Sequence, residues 1–283
     1  MALKKFKPTT PARRQMTVAS FDELTKGKKP EKRLLKTLKQ HAGRNNAGHL
    51  TVRHRGGGVK RQYRIIDFNR REKLNVPGIV TSIEYDPYRT AYIMLVTYQD
   101  GDKRYHIAPL GIKEKDEVRI AEKTKVKKGN RMLIKNIPLG YNIYNVELKQ
   151  NRGGQMVRSA GSSAMISSHE GERSQLTLPS GEVRYIDKEC YATIGRVSNE
   201  EHSNIKIGKA GRKRMMGKRP QVRGKVMNPC DHPHGGGEGN QSIGLKHPKT
   251  PWGMPALGYK TRRRKYSNHL IIKSRHLAKK KKR

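Results

Sequence analysis

Large aromatic residues and cysteine are scarce in this 283-residue chain. It has one tryptophan, three phenylalanines and two cysteines, and 33% of its residues are hydrophobic. The shortage of apolar side chains predicts a small hydrophobic core, which the sequence concentrates between about residues 62 and 197. Cys190 and Cys230 form neither a disulfide framework nor a CxxC metal-binding pattern, and this fits a reducing compartment.

Long apolar runs are also lacking. No stretch approaches the roughly 18 consecutive apolar residues of a transmembrane helix, so we expect no membrane span. The N-terminal segment begins with cations but has no apolar segment of the kind that secretory signals contain. We therefore expect a cytoplasmic protein.

Acidic residues are few and unevenly placed. The chain has 63 Lys and Arg against 23 Asp and Glu, a net charge of +40. Residues 1–74 carry +16, residues 75–200 carry +4 and residues 201–283 carry +20. A near-neutral middle between two cationic arms indicates a folded module that binds a polyanion. The phosphate backbone of a nucleic acid fits best, because neutralised phosphates release counterions.

Short strand-like runs fill the middle of the chain. Asp100-Gly101 and Pro179-Ser180-Gly181 predict two hairpin turns. Helical periodicity is confined to Lys32–Gln40, where three leucines would share a face, and to a turn or two at Asn199–Asn204. Two sets of strands, divided near residues 125–130, predict a mainly β fold with two successive small barrels. Neither arm has enough apolar surface to fold alone.

A glycine triplet marks the junction between the first arm and the first strand. Glycine has no side chain to hold the backbone away from a phosphate, and arginines offer bidentate donors. A flexible solvated loop is the alternative, which the scarcity of carboxylates disfavours. The candidate RNA-binding residues are Arg44, Arg53, His54, Arg55, Gly56, Gly57, Gly58, Lys60, Arg61, Tyr63 and Arg64.

A second glycine cluster lies in NPCDHPHGGGEGN, residues 228–240. A metal site would use Cys230, Asp231, His232, His234 and His247, but their spacing matches no common zinc pattern. A phosphate-binding P-loop is excluded because Leu245 stands where its lysine is required. Asp231 with His232 or His234 could act as an acid–base pair, although no nucleophile is indicated. RNA contact is the favoured interpretation, through His232, His234, Gly235, Gly236, Gly237 and Gly239, with a solvated turn as the alternative.

Further cations precede and follow this cluster. Trp252 lies among prolines and cations, which favours a stacking or docking surface over a local apolar cluster with Pro255 and Leu257. The closing KKKKR is interpreted as a solvated or phosphate-bound tail. The remaining candidate RNA-binding residues are Lys209, Arg212, Lys213, Arg214, Lys218, Arg219, Arg223, Lys225, Lys246, Trp252, Arg262, Arg263 and Arg264.

These segments together resemble one known family. The stretches RHRGGGVKRQYRIIDF, EYDPYRTAYIMLVTYQDG, VRGKVMNPCDHPHGGGEG and KTPWG are similar to those of the bacterial ribosomal protein L2 family, with Cys230 where an aliphatic residue is frequent. The resemblance implies an OB-fold barrel, then an SH3-like barrel, between extensions that thread into rRNA. We therefore expect a basic extension over 1–59, the OB-fold domain over 60–126, the SH3-like domain over 127–200 and a Gly/Pro-rich extension over 201–283.

The resemblance also implies partners. They are large-subunit (23S-type) rRNA, small-subunit rRNA through an intersubunit bridge, neighbouring ribosomal proteins and nearby tRNA, with residues 228–239 near the peptidyl-transferase region. It implies no catalysis by the protein, so Asp231, His232 and His234 are at most weak candidates. No cofactor or metal is expected, Mg²⁺ entering only with the rRNA. The alternatives are a hydrolase or acyl-transferase that uses these three residues, and a nucleoid-type DNA-binding protein.

Overall fold

Antiparallel strands dominate the computed structural model, which describes residues 3–239 and 241–276. Two short α-helices, α1 (Pro11–Arg14) and α2 (Ala210–Met215), accompany them. Short 3₁₀ turns occur at Lys32–Leu34, Arg71–Lys73, Ile134–Asn136, Glu200–Asn204, Gly224–Val226 and Asn268–Leu270. The strands are β1 (Leu3–Lys5), β2 (Thr17–Ala19), β3 (Leu35–Thr37), β4 (Gln62–Arg64), β5 (Gly78–Glu84), β6 (Ile93–Tyr98), β7 (Lys103–Ile107), β8 (Glu117–Val118), β9 (Arg131–Leu133), β10 (Asn142–Tyr144), β11 (Val146–Glu147), β12 (Gly154–Met156), β13 (Ala164–Glu170), β14 (Arg173–Thr177), β15 (Val183–Asp187), β16 (Tyr191–Ile194) and β17 (Ile271–Lys273).

The chain divides into two units by internal contacts. Among the described residues, unit 1 comprises 3–39, 60–209 and 267–276, and unit 2 comprises 40–59, 210–239 and 241–266. All seventeen strands lie in unit 1. They form a four-stranded sheet in the order β7-β6-β5-β8, a seven-stranded sheet in the order β17-β15-β14-β13-β10-β16-β9, and the pairs β1-β2, β3-β4 and β11-β12.

The mainly β prediction is confirmed, and these sheets are consistent with small barrels. Both predicted hairpin turns are present. Gly101 adopts a φ of +82° and donates its N–H to Tyr98 O between β6 and β7, while Gly181 donates to Leu178 O between β14 and β15. The domain boundaries that the sequence suggests after residues 59, 126 and 200 stay predictions.

The first core is built on both faces of β6. Met94, Val96 and Tyr98 belong to one apolar cluster, whereas Ile93 and Leu95 belong to another with Ile66 and Tyr105. Successive side chains of a strand point to opposite faces, so a strand covered on both sides needs an unbroken apolar run. Because β6 is covered on both faces, the stretch AYIMLVTY that contains it is an almost unbroken apolar run.

A second core fills the seven-stranded sheet. Its buried members come from strands β9 to β11 and β13 to β16 and from the turns between them, among them Met132, Ile143 and Ile166. A smaller cluster joins Ala91 and Ile107 to Tyr144 and Val197, and the Tyr144 hydroxyl donates to Ile107 O at 3.2 Å. The two cores of unit 1 are therefore in direct contact. All buried hydrophobic residues described lie between Ile66 and Val197, as the sequence predicts.

An ion pair is buried beside the second core. Arg131 Nη2 donates to Glu147 Oε1 at 2.7 Å, and neither side chain is exposed to solvent. Arg131 Nη1 donates to Asn145 O at 2.7 Å, and Glu147 Oε2 accepts the Tyr191 N–H at 3.1 Å. Burial lowers the pKa of Arg131 to about 10, an effect that Glu147 opposes, so the guanidinium is still charged at neutral pH.

Several elements of the arms differ from those predicted from the sequence. The helix predicted at Lys32–Gln40 is wrong: only Lys32–Leu34 forms a 3₁₀ turn, and Leu35–Thr37 continues as β3, paired with β4. Leu34 packs against the cluster of Ile66 and Tyr105, whereas Leu38 is exposed, so the leucines share no helical face. Strands β1, β2 and β17 were not foreseen, although the short turn predicted at Asn199–Asn204 is confirmed.

The end of the described chain returns to unit 1. Strand β17 pairs antiparallel with β15, where Ile271 lies opposite Arg184 and Lys273 opposite Val183. Near the other end, the Thr17 N–H donates to Lys206 O, and the Lys206 N–H donates to Thr17 Oγ1 at 2.8 Å. Residues 267–273 and 205–208 therefore belong to the β unit although their composition is that of the arm.

Candidate nucleic-acid interface

The glycine triplet of the first arm pairs with a segment from the second arm within unit 2. The Gly56 N–H donates to Gly217 O and the Val59 N–H donates to Met215 O, both at 3.0 Å. A Cβ atom at Gly58 would lie 2.9 Å from the backbone N of Gly217. Backbone packing therefore requires glycine at position 58, whether or not a phosphate approaches.

A histidine extends this pairing. The ring Nδ1–H of His54 donates to Pro220 O at 2.8 Å, and the backbone N–H of Arg219 donates to His54 O at 3.1 Å. Arg55 and Lys218 form an antiparallel bridge between these hydrogen bonds. Two basic segments that the sequence shows as separate candidates thus form one composite surface.

Unit 2 is rich in cationic residues and has few acidic ones. Residues 40–59 and 210–266 contain 17 Lys and Arg but only Asp231 and Glu238 as acids. None of the salt bridges within the described chain involves the α2 cations Arg212, Lys213 and Arg214. Nη1 of Arg212 and Nη1 of Arg214 are shielded from solvent and have no hydrogen-bond partner among these residues. Buried polar atoms are normally paired, so two unpaired guanidinium nitrogens in one short helix are unusual.

The histidine-glycine segment folds around one imidazole. Within the described part of unit 2, His232 is the only buried residue, 8% exposed. Its ring lies on Gly224, where an added Cβ would fall 2.5 Å from ring atoms. The Gly235 N–H donates to His232 O at 2.8 Å, and the Gly236 N–H donates to Met227 O at 3.1 Å. The segment is therefore a compact loop with a histidine at its centre.

Both imidazoles accept backbone hydrogen bonds. His232 Nδ1 accepts the His234 N–H at 3.0 Å, and His234 Nε2 accepts the Lys249 N–H at 2.9 Å. Each accepting nitrogen must be unprotonated, which assigns the ring proton of His232 to Nε2 and that of His234 to Nδ1. Desolvation, then the neighbouring His232 and Lys249, lower the pKa of His234. The two rings thereby fix the backbone at His234 and at Lys249.

The metal and acid–base interpretations gain no support from this geometry. The residues described contain no group of three or more His, Cys, Asp or Glu side chains that could hold a metal ion. No hydrogen bond joins the Asp231 carboxylate to either imidazole within the same residues. An acid–base pair needs that contact to orient the ring.

We expect Gly224→Ala to displace the His232 ring, because the new methyl group would overlap it. The amide of His234 would then lose its acceptor and exchange with solvent faster, and the Cε1–H resonance of His232 would shift in NMR spectra. Gly211→Ala is the matched control, since a Cβ at Gly211 meets nothing within 4 Å. Equal behaviour of the two variants would contradict the central role given to His232.

A second cluster of cations and aromatic rings lies on unit 1. The Arg61 guanidinium is 4.5 Å from the Tyr88 ring centroid, and Tyr88 packs edge to face with Tyr63 at 5.4 Å. Arg89 lies over both Tyr63 and Phe68, at 5.6 and 5.8 Å. Arg158 lies over Phe68 at 4.5 Å. We call these six residues the arginine–aromatic cluster.

Four members of the arginine–aromatic cluster were missed from the sequence, namely Phe68, Tyr88, Arg89 and Arg158. Asp86 fixes part of it, because its carboxylate accepts from Arg89 Nε at 2.5 Å and from the Tyr88 N–H at 2.8 Å. The available signal was the DPYR stretch, in which an Asp caps a turn that presents an aromatic and a cation together. Arginine planes and aromatic faces are the groups on which RNA bases stack.

The other sequence candidates fall in both units. Trp252 is 78% exposed and Leu257 76%, so the local apolar cluster considered for them is wrong. The proposed RNA contacts of individual residues stay predictions, and the KKKKR tail lies outside the described residues. Unit 1 holds Lys60, Arg61, Tyr63, Arg64 and Lys209, and unit 2 holds Arg44, Arg53, His54, Arg55, Gly56, Gly57, Gly58, Arg212, Lys213, Arg214, Lys218, Arg219, Arg223, Lys225, His232, His234, Gly235, Gly236, Gly237, Gly239, Lys246, Trp252, Arg262, Arg263 and Arg264.

The strands and the two cation-rich surfaces define a class of protein, a mainly β protein with surfaces typical of nucleic-acid binding. No helix in the described part of the chain has the length and apolarity to cross a membrane. Comparison with protein families gives two matches. The model of the RNA-binding N-terminal domain of ribosomal proteins L2 matches residues 31–120, and that of their C-terminal domain matches residues 127–253.

These two matches cover most of the chain, and the chain belongs to the ribosomal protein L2 family. It is accordingly a structural, rRNA-binding protein of the large ribosomal subunit, with a role in translation. The arginine–aromatic cluster falls within both matched regions, since Arg158 lies in the second and its five other members lie in the first.

Proposed function

We propose that the protein is a primary binder of large-subunit rRNA and that unit 2 supports subunit association, tRNA binding and the peptidyl-transferase region. The observation that carries this proposal is the composite nature of unit 2. Segments from both arms combine there into a surface with 17 cations and two acids. Such a surface needs a polyanion to offset its self-repulsion.

The two units then divide the work. Unit 1 supplies a rigid β scaffold and the arginine–aromatic cluster for stable attachment to large-subunit rRNA. Unit 2 supplies glycine backbone and cations, with the loop around His232 near the peptidyl-transferase region and a contact to small-subunit rRNA as the intersubunit bridge. Neighbouring ribosomal proteins complete the surroundings.

The same proposal assigns the chemistry and the location. Catalysis belongs to the RNA, and the histidines of the loop position backbone groups through the hydrogen bonds that they accept. The protein uses no cofactor or metal of its own, and Mg²⁺ participates as part of the rRNA. The ribosome on which it acts is cytoplasmic.

Replacing residues 210–266 with a Gly/Ser linker tests the division. This replacement keeps the Lys206 contact with Thr17 and the pairing of β17 with β15. We expect the variant to enter large subunits on a sucrose gradient, while subunit joining and tRNA binding decrease severalfold. Replacing residues 40–59 in the same way should reproduce the defect, because the two segments form one unit.

Two results would contradict the proposal. If the variant that lacks residues 210–266 shows no rRNA affinity while its circular dichroism is that of the intact β unit, attachment does not reside in unit 1. If it joins subunits and binds tRNA normally, unit 2 has no part in either process.

A further inference from the structure

Trp252 is presented at the tip of a short hairpin in unit 2. Lys249 and Pro255 form an antiparallel bridge, and the Thr250 N–H donates to Met254 O at 2.7 Å. The Gly253 N–H closes the turn on Thr250 O at 2.9 Å, with Gly253 at a φ of +78°. Pro251 fixes φ at the first central position of this turn, Trp252 occupies the second, and Gly253 supplies the left-handed residue at its end. The indole is therefore held by a rigid support.

The support of this hairpin is the loop around His232. The backbone N–H of Lys249 donates to His234 Nε2 at 2.9 Å, and the backbone N–H of His234 donates to His232 Nδ1 at 3.0 Å. Two hydrogen bonds thus connect the base of the hairpin to the one buried side chain described in unit 2. The position of Trp252 depends on this loop.

One face of the indole already carries a cation. The Arg53 guanidinium carbon lies 5.5 Å from the Trp252 ring centroid, although the two residues are 199 positions apart in the sequence. A cation at this distance is attracted to the ring and restricts its rotation. Since Trp252 is 78% exposed, Arg53 leaves most of the ring surface accessible. A stabilised indole with an accessible face is a ready platform for stacking.

The surroundings select the chemistry of the partner. Lys249 lies at the base of the hairpin and Lys246 lies three residues before it. Unit 2 as a whole has a net charge of +15. A partner must therefore combine negative charge with a flat apolar surface. A nucleotide has both, and only an unpaired one exposes the face of its base, because a base inside a duplex is covered by its neighbours.

We infer that Trp252, backed by Arg53, stacks on an unpaired base and makes unit 2 selective for single-stranded over duplex RNA. This inference rests on the proposed function, since it specifies the type of rRNA structure that unit 2 contacts. Arg53 acts as a positioning residue that holds the indole, while Trp252 provides the contact with the base.

The single tryptophan permits a direct test with the full chain. Tryptophan emission, excited where tyrosine does not absorb, is followed during titration with a short oligoadenylate and with the same strand annealed to oligouridylate. We expect saturable quenching by the single strand and little quenching by the duplex. Trp252→Leu should weaken single-strand binding roughly 5- to 150-fold, measured with labelled RNA, and change duplex binding less than about twofold.

Tyr266→Leu is the matched control, because Tyr266 is a 76% exposed aromatic in the same basic unit with no guanidinium described over its ring. It should leave the preference for single strands unchanged. Equal quenching by duplex and single strand, or an equal loss of both affinities in Trp252→Leu, would overturn the inference. So would a shift of tryptophan emission with anionic phospholipid vesicles and none with RNA. In each case the entry of Trp252→Leu into large subunits is measured on a sucrose gradient. Normal entry would leave the proposed function standing, whereas a loss of entry would show that the proposed function itself had failed.

Discussion

Glu147→Gln should lower the free energy of unfolding by about 3–5 kcal/mol, the largest effect on stability that we expect from a single neutralisation. The substitution keeps the side-chain volume but leaves the Arg131 charge buried without its counter-charge. Neither side chain of this pair is exposed, and the pKa of Arg131, lowered to about 10 by burial, keeps the guanidinium charged at neutral pH. Urea unfolding followed by far-ultraviolet circular dichroism measures the effect, because the only tryptophan lies outside this core.

Two comparison variants separate the buried pair from charge in general. Glu189→Gln breaks an ion pair with Lys135 at 2.7 Å whose side chains are 48% and 41% exposed, so we expect a change within about 1 kcal/mol. The double variant Arg131→Met and Glu147→Leu removes both charges and should recover most of the stability that Glu147→Gln loses. Equal effects of Glu147→Gln and Glu189→Gln would show that burial does not govern this ion pair.

The affinity of the free protein for large-subunit rRNA should fall roughly 10³- to 10⁵-fold between 50 and 200 mM salt, as expected for about ten phosphate contacts. The reason is the release of counterions by a chain with a net charge of +40. Filter binding or fluorescence anisotropy over a series of salt concentrations gives the slope. A flat response would contradict an electrostatic mode of binding.

A charge-matched pair of variants locates these contacts. Neutralising Arg212, Lys213 and Arg214 of α2 to glutamine should reduce the slope of log affinity against log salt by up to about 3, since each phosphate contact contributes about 0.9. Neutralising Lys123, Lys125 and Lys127, three exposed cations of unit 1, changes the net charge equally. We expect a smaller reduction there, and an equal one would mean that net charge alone determines affinity.

The β part of the fold was predictable because its determinants are local. The unbroken apolar run of β6 and the turns at Asp100-Gly101 and Pro179-Ser180-Gly181 act over a few residues, and each formed as expected. The helix expected at Lys32–Gln40 failed because Leu34 gains more from contact with the Ile66 cluster than a nine-residue helix can offer. Strand β17 was missed because it forms by pairing with β15, which is distant in the sequence.

In the candidate interface, too, contacts between residues distant in the sequence could not be predicted. Composition marked the cations and glycines of both arms, but nothing local indicates that Gly56 hydrogen-bonds to Gly217 or that Arg53 lies over Trp252. The arginine–aromatic cluster likewise assembles from residues around 61, 88 and 158 that no single window contains. Contacts between distant segments depend on the tertiary fold, which periodicity does not encode.

The chain enters unit 2 twice and leaves it twice, at residues 39/40 and 59/60 and again at 209/210 and 266/267. Both basic segments are therefore loops with two fixed ends, the second closed by the pairing of β17 with β15. A loop of this kind cannot enter a preformed opening end first, as a free tail can. An RNA opening that receives either segment must therefore admit two passes of the chain, unless the RNA folds around the segment after the protein has bound.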